Sequence, residues 1–382
     1  GIMEEVFIQL AVILFTAFIV CYIMRIFKQP IIIGYIIAGI AIAFILELGI
    51  TGISVSTEIL DIFPKLGIAF LLFIVGLHLN PKVIKEIGVS SLFIGLAQII
   101  LTFFVGFIAS SKLLNLDITA SVYIGIAIAF SSTIIIMKLL SDTKNIESLY
   151  GKISIGILII QDIVAIGVLM FISPMSNGVN LGSLAARNLV IGAVLIIAVF
   201  AGGFLILPKV TRKIAKSQEI LFLFSITWAF VIAALFSYLG FSIEIGALVA
   251  GVSLSVSPYS TEITAKIRPL RDFFLIIFFI ILGLNIQIIN TEKVIINALI
   301  LSAVVLIFKP LILMTLMAFF KYTKRTNFLV GTTLAQISEF SLIILALGVS
   351  LGQVSKEVLS TLTLTGIITI TLSTYMIIYS NK

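Results

Sequence analysis

The sequence predicts an all-α polytopic membrane protein: about 13 transmembrane helices in two inverted six-helix repeats, with discontinuous helices that cross. Three observations carry that prediction. The 382 residues are 61% hydrophobic and 11% charged, with a mean hydropathy of +1.30, where a soluble domain carries about 25% charge. Apolar runs of bilayer length follow one another with short polar joints. At about 20 residues per crossing they fill the chain and leave no room for a soluble domain. Short motifs also recur in the same order, at offsets of 206–212 residues.

The runs lie near 6–25, 31–46, 64–79, 88–111, 118–140, 150–172, 184–207, 219–239, 242–257, 272–287, 294–320, 327–349 and 357–379. The second and ninth are short and glycine-rich, so twelve crossings stand as the alternative count. The single Cys21 lies inside the first run, so neither a disulfide framework nor a thiol metal site is expected. The start, Gly1-Ile2-Met3-Glu4-Glu5, lacks the basic region and the small-residue cleavage site of a secretory signal.

A net charge of +7 would suggest nucleic acid in a soluble protein; here its distribution is what informs. Assign the joint holding Arg25 and Lys28, and every second joint after it, to the cytoplasm. Eighteen Lys and Arg then fall inside, against Lys65, Lys112, Arg187, Lys293 and Lys356 outside. That bias predicts a multi-pass plasma-membrane protein with its N-terminus outside, its C-terminus cytoplasmic and the bilayer, not nucleic acid, as its surroundings.

The repeat shows in three echoes. Gly34-Tyr-Ile-Ile-Ala-Gly39 matches Gly246-Ala-Leu-Val-Ala-Gly251, Phe73-Ile-Val-Gly-Leu matches Ile280-Ile-Leu-Gly-Leu, and Ala129-Phe-Ser-Ser-Thr133 matches Ala335-Gln-Ile-Ser-Glu339. Seven crossings separate corresponding helices, with the seventh run as linker. An odd number gives the repeats opposite orientation, an architecture of secondary transporters with the site between halves at mid-membrane.

The polar residues inside the runs supply the chemistry. Asp162 and Gln161 sit in the middle of the sixth run, and an ionised carboxylate at that depth costs at least about 2.5–3.5 kcal/mol. An ion or proton site is the default reading; an aspartate that only pairs Lys309 is the structural alternative. One carboxylate can hold a proton or a cation, but not both, which is the minimum chemistry of proton-coupled exchange. Gln161 can offer its carbonyl oxygen without adding charge. A hydroxyl inside a membrane helix usually bonds back to the preceding turn, but Ser131, Ser132 and Thr133 in the fifth run and Ser338 and Glu339 in the twelfth hold the same place in both repeats, which predicts two broken helices crossing at the midplane. Glu339 reads as compensation for a positive half-helix end rather than as an ion ligand. Lys309 stands about a dozen residues from either end of its run, too deep to snorkel, and reads as a buried cation beside the kink-prone Pro310.

These stretches resemble the transmembrane part of Kef-type potassium/proton antiporters, within the monovalent cation:proton antiporter family. The resemblance lies in Leu72-Phe-Ile-Val-Gly-Leu77, Ser131-Ser-Thr133, Gln161-Asp162, Gly246-Ala-Leu-Val-Ala-Gly-Val252, Lys309 and Ser338-Glu-Phe340. It implies a sodium/proton-antiporter-like fold and a homodimer. The dimer scaffold would comprise about residues 1–80 and 219–287, the ion-transporting core about 88–172 and 294–379, and a linker helix about 184–207. The core would move elevator-fashion. Cation or proton would bind at Asp162 with Gln161, Ser131, Ser132 and Thr133, while Lys309, Ser338 and Glu339 compensate charge at the helix crossing. No cofactor is implied; the cargo would be potassium, or sodium, and protons.

The chain departs from the family at Gly76-Leu-His-Leu-Asn80, where an acid is usual after Gly-Leu, and at Ile281 and Ile337, where glycine is frequent. His78 reads as solvated or locally bonded, with a pH sensor as the alternative. Many such proteins append a soluble Rossmann-like regulatory domain. This sequence has no glycine-rich phosphate loop, so such a domain is expected to be separate or removed. The rival readings are a sodium/proton antiporter of the same fold, a gated potassium efflux channel and a sodium-coupled organic-solute symporter. No metal-ligand cluster or nucleophile–base pair suggests an enzyme.

Overall fold

A computed structural model describes residues 1–29, 31–47, 62–82, 88–145, 148–172, 183–241, 243–284 and 291–380. The described residues form helices joined by turns and short non-helical stretches, with no strand among them, and each of the thirteen apolar runs falls on a helix or on a helix pair. In chain order the helices are α1 (Ile2–Ile26), α2 (Ile31–Glu47), α3 (Ile62–His78), α4 (Val89–Ile108), α5 (Ile118–Ile128), α6 (Thr133–Asp142), α7 (Leu149–Ile172) and α8 (Ser183–Ile214). There follow α9 (Gln218–Tyr238), α10 (Ile243–Leu254), α11 (Ser260–Leu284), α12 (Thr291–Phe319), α13 (Lys324–Thr333), α14 (Glu339–Ser350) and α15 (Lys356–Ser380). Helix α4 runs on into one π turn, Ala109–Leu113. Among the described residues, seven helices are long and apolar enough to cross a membrane.

Two helices outrun their apolar segments. Helix α8 continues through Pro208, Lys209, Arg212 and Lys213, and α11 begins at Ser260, ahead of Lys266, Arg268 and Arg271. Charge marks where a helix leaves an apolar medium, not where its hydrogen bonding ends.

The chain divides into two compact units. The first comprises Gly1–Val83 and Asn180–Gln287, the second Ile84–Val179 and Ile288–Lys382.

In the first unit α3 packs on α10 and α11, α2 on α1 and α11, and α9 on α10. The echoed glycines are the points of closest approach. A Cβ on Gly76 would meet the Leu248 carbonyl, and one on Gly251 the Phe73 carbonyl, so α3 and α10 touch main chain to main chain. Gly39 and Gly283 do the same for α2 and α11, against the Ile280 and Ile36 carbonyls. These contacts are reciprocal. Gly39 echoes Gly251, Gly76 echoes Gly283, and the Gly39–Gly283 contact becomes the Gly251–Gly76 contact when each residue is exchanged for its echo. A two-fold relation between the echoes requires that swap. His78 ends α3 with its Nδ1–H donating to the Ile74 carbonyl at 2.8 Å, the locally bonded state expected of it.

In the second unit α4 packs on α5, α7 and α12, and α12 on α13 and α15. Its apolar core joins Ile94, Ile136, Leu140, Ile157, Leu313, Leu329 and Leu334. Two of its segments are interrupted helices, α5–α6 and α13–α14, and the interruptions are where the polar residues gather.

Candidate functional site

The first break covers 129–132, the second 334–338, and a serine ends each. The Ser132 hydroxyl accepts from the Ile135 N–H at 3.3 Å, and the Ser338 hydroxyl from the Phe340 N–H at 3.1 Å. Each serine thus caps the half-helix that follows it, α6 or α14, satisfying an N–H that a helix start leaves open. Ile337 does not keep the second segment helical, although glycine would be the easier residue for a break.

A break inside a buried bundle exposes main-chain groups that must find partners, and here they do. Ser341 Oγ donates to the Ala127 carbonyl and Ser131 Oγ to the Leu334 carbonyl at 2.9 Å, so each break is tied to the other. Lys309, fully buried on α12, donates from Nζ to the Phe130 and Gln336 carbonyls, both at 2.9 Å. These carbonyls lie in the breaks, two residues past the end of α5 and three past the end of α13, near helix C-termini whose dipoles favour a cation. Lys309 is buried, as its depth in the run predicts. Its hydrogen bonds go to carbonyls, not to Asp162.

Gln161, fully buried on α7, uses both ends of its amide. Its Oε1 accepts from the Ser131 N–H at 2.8 Å, and its Nε2 donates to Gln98 Oε1 at 2.8 Å. Gln98 on α4 then donates from Nε2 to the Ala129 carbonyl at 3.1 Å and to Thr102 Oγ1 at 2.9 Å. The carbonyl oxygen expected to face an ion is therefore already engaged by the backbone of the first break.

Asp162 follows Gln161 and is 3% exposed, the single buried carboxylate among the described residues. The Thr133 hydroxyl lies 3.4 Å from both of its oxygens, which sets the carboxylate beside the first residue of α6. At the second break the Ile337 N–H donates to Thr369 Oγ1 of α15 at 3.4 Å. Gln336 is fully buried, and its side-chain amide has no hydrogen-bond partner among the described residues.

The predicted residues Ser131, Ser132, Thr133, Gln161, Asp162, Lys309 and Ser338 thus gather in one unit around two breaks. Glu339 opens α14, and its side chain lies outside the described residues. Sequence reasoning missed Gln98, Thr102, Ser341 and Thr369. An amide in the middle of the fourth run, with a threonine four residues on, was the signal for the first two.

The sequence profile described as "Sodium/hydrogen exchanger, transmembrane" matches residues 13–378. K(+) efflux antiporter 4 of Arabidopsis thaliana is 28% identical over 83% of the chain and 54% of its own length. The chain therefore spans about half of that relative. The iron transporter MagA of Paramagnetospirillum magneticum is 26% identical over 86% of the chain and 75% of its own length. Among solved structures, the sodium proton antiporter MjNhaP1 from Methanocaldococcus jannaschii superposes with a TM-score of 0.73 at 14% identity, covering 100% of this chain and 99% of that one. At that identity the likeness concerns the fold.

Proposed function

Because the chain belongs to the sodium/hydrogen exchanger family, we propose that this multi-pass membrane protein is a monovalent cation:proton antiporter whose exchange site is Asp162. The observation that carries the reading is the burial of that one carboxylate beside a helix break. Left bare and ionised, a group so buried is costly, and a proton or a cation relieves the cost equally well. Only one of them fits at a time. Competition for one carboxylate yields exchange of one monovalent cation for one proton, with no net charge moved.

Potassium is the proposed cation. Gln161 beside Asp162 supports it, and so does the name of the potassium-exporting relative. Alternating access is proposed to follow movement of the second unit, which holds Asp162, against the first, which would carry the contact of a homodimer. The N-terminus would face outward and the C-terminus the cytoplasm, following the basic residues.

The test is proton flux in proteoliposomes of the full chain, with potassium, sodium, rubidium and lithium supplied in turn under clamped voltage. Potassium should drive the flux best, at a rate independent of voltage, and Asp162→Asn should abolish it. Exchange that survives Asp162→Asn moves the carrier role elsewhere. Cation flux without proton movement would mean a channel.

A further inference from the structure

Two side-chain amides stand in series between a main-chain donor and a main-chain acceptor of the same break. The Ser131 N–H can only donate, so Gln161 must turn its oxygen there and its Nε2 toward Gln98. The Ala129 carbonyl can only accept, so Gln98 must turn its Nε2 there and its oxygen toward Gln161. The two ends fix both amide orientations, with no flip left that satisfies the backbone. The result is a closed loop from Ala129 through Gln98 and Gln161 to Ser131, two residues along the chain. Both glutamines are fully buried, so no bulk water competes for these bonds.

The helices are set close enough for the loop to form. A Cβ on Gly95, one turn before Gln98, would stand 3.0 Å from the Ile160 Cβ, next to Gln161. Thr102, one turn after Gln98, takes the second proton of Gln98 Nε2 and keeps the amide in line.

Gln98 also has a counterpart. Lys309 lies 211 residues beyond it, inside the offset of the echoed motifs, and each lands its side-chain nitrogen on carbonyls freed by a break. The counterpart is an amine that can take up a proton, and Gln98 is an amide that cannot. A cation at position 98 would sit one amide away from the neighbour of Asp162 and oppose a monovalent ion there. A neutral amide holds the backbone without that repulsion.

We infer that Gln98 is a positioning residue that determines cation specificity: acting through Gln161, it fixes the spacing of the first break and so which monovalent cation seats at Asp162. The cargo's identity rests on the antiport reading above. Selection between alkali cations turns on sub-ångström differences in where oxygens stand and how freely they move. A backbone held at two points by one rigid amide pair can make that distinction, and one released at either point relaxes.

The experiment compares the KM for potassium with that for sodium in reconstituted full chain carrying Gln98→Met, Gln161→Met or both. Gln98→Met should change the KM ratio by about tenfold, the equivalent of about 1.4 kcal/mol, and leave the maximal rate within about threefold. The double variant should differ no more than Gln161→Met alone, because Gln98 acts through that residue. A folded Gln98→Met with a wild-type ratio overturns the inference, and so do effects that add. If Gln98→Met fails to fold, Thr102→Val takes its place: a smaller shift in the same direction is expected, and none overturns the inference. Cation-induced thermal stabilisation in detergent reads the same ratio without transport. A wild type that binds cations but moves no protons would end the antiport reading while this ratio still judged Gln98, and cation-independent melting would end both.

Discussion

The two breaks of the second unit pose one backbone problem and solve it differently. At the first, a chain of two amides spans from the Ala129 carbonyl to the Ser131 N–H. At the second, one threonine hydroxyl reaches the Ile337 N–H at 3.4 Å, and the neighbouring Gln336 amide has no partner among the described residues. Lys309 serves both alike. Among the described residues, the break with Asp162 beside it receives the more side-chain hydrogen bonds. Where two equivalent places in a fold receive unequal polar support, the better supported one is where geometry must be kept.

Removing what the breaks share should have the largest effect. Lys309→Met leaves two buried carbonyls without a donor, at about 1–3 kcal/mol each. The variant should melt well below wild type in detergent and lose exchange. Unchanged melting with full exchange would show that the breaks hold without the lysine.

Removing what they do not share comes next. Gln161→Leu strands the Ser131 N–H and a Gln98 acceptor, whereas Thr369→Val strands only the Ile337 N–H, which is already in a long bond. Gln161→Leu should therefore destabilise by about 2–4 kcal/mol and raise the cation KM, and Thr369→Val by about 1 kcal/mol with KM little changed. Equal losses in the two variants would erase the asymmetry.

The smallest effect belongs to Gln336→Leu. Its amide makes no hydrogen bond among the described residues that the substitution could break, and an apolar side chain of like size should leave the melting temperature unchanged or raised by a degree or two, about 0.5 kcal/mol at most. A clear fall in exchange at constant melting would sharpen the comparison in the other direction, making the second break a participant.

Much of the fold was legible because the signals were discontinuities. Apolar runs ended at basic joints, and the hydroxyl clusters Ser131-Ser132-Thr133 and Ser338-Glu339 marked the breaks within them. Asp162 and Lys309 declared themselves by the cost of burial. Gln98 and Thr369 did not, because an uncharged amide or hydroxyl in an apolar helix is cheap to satisfy locally and carries no comparable penalty. Thr369 donates back to its own helix at the Gly366 carbonyl, much as Thr361, Thr363, Thr365 and Thr374 bond back to theirs, and nothing in the sequence shows that its oxygen also accepts from Ile337. The engagement of Gln161 by Ser131 was equally hidden: spacing shows that the two can share a unit, not which atom meets which.

The glycine contacts of the first unit have a mechanical corollary. Where α3 meets α10 at Gly76 and Gly251, and α2 meets α11 at Gly39 and Gly283, no side chain intervenes. Side chains are the compliant layer between helices, since they can change rotamer while the main chain stays put. Joints without that layer have no play in them. The first unit should respond to force or heat as one stiff block that yields abruptly, and a single methyl added at any of these four glycines should be felt across the whole of it.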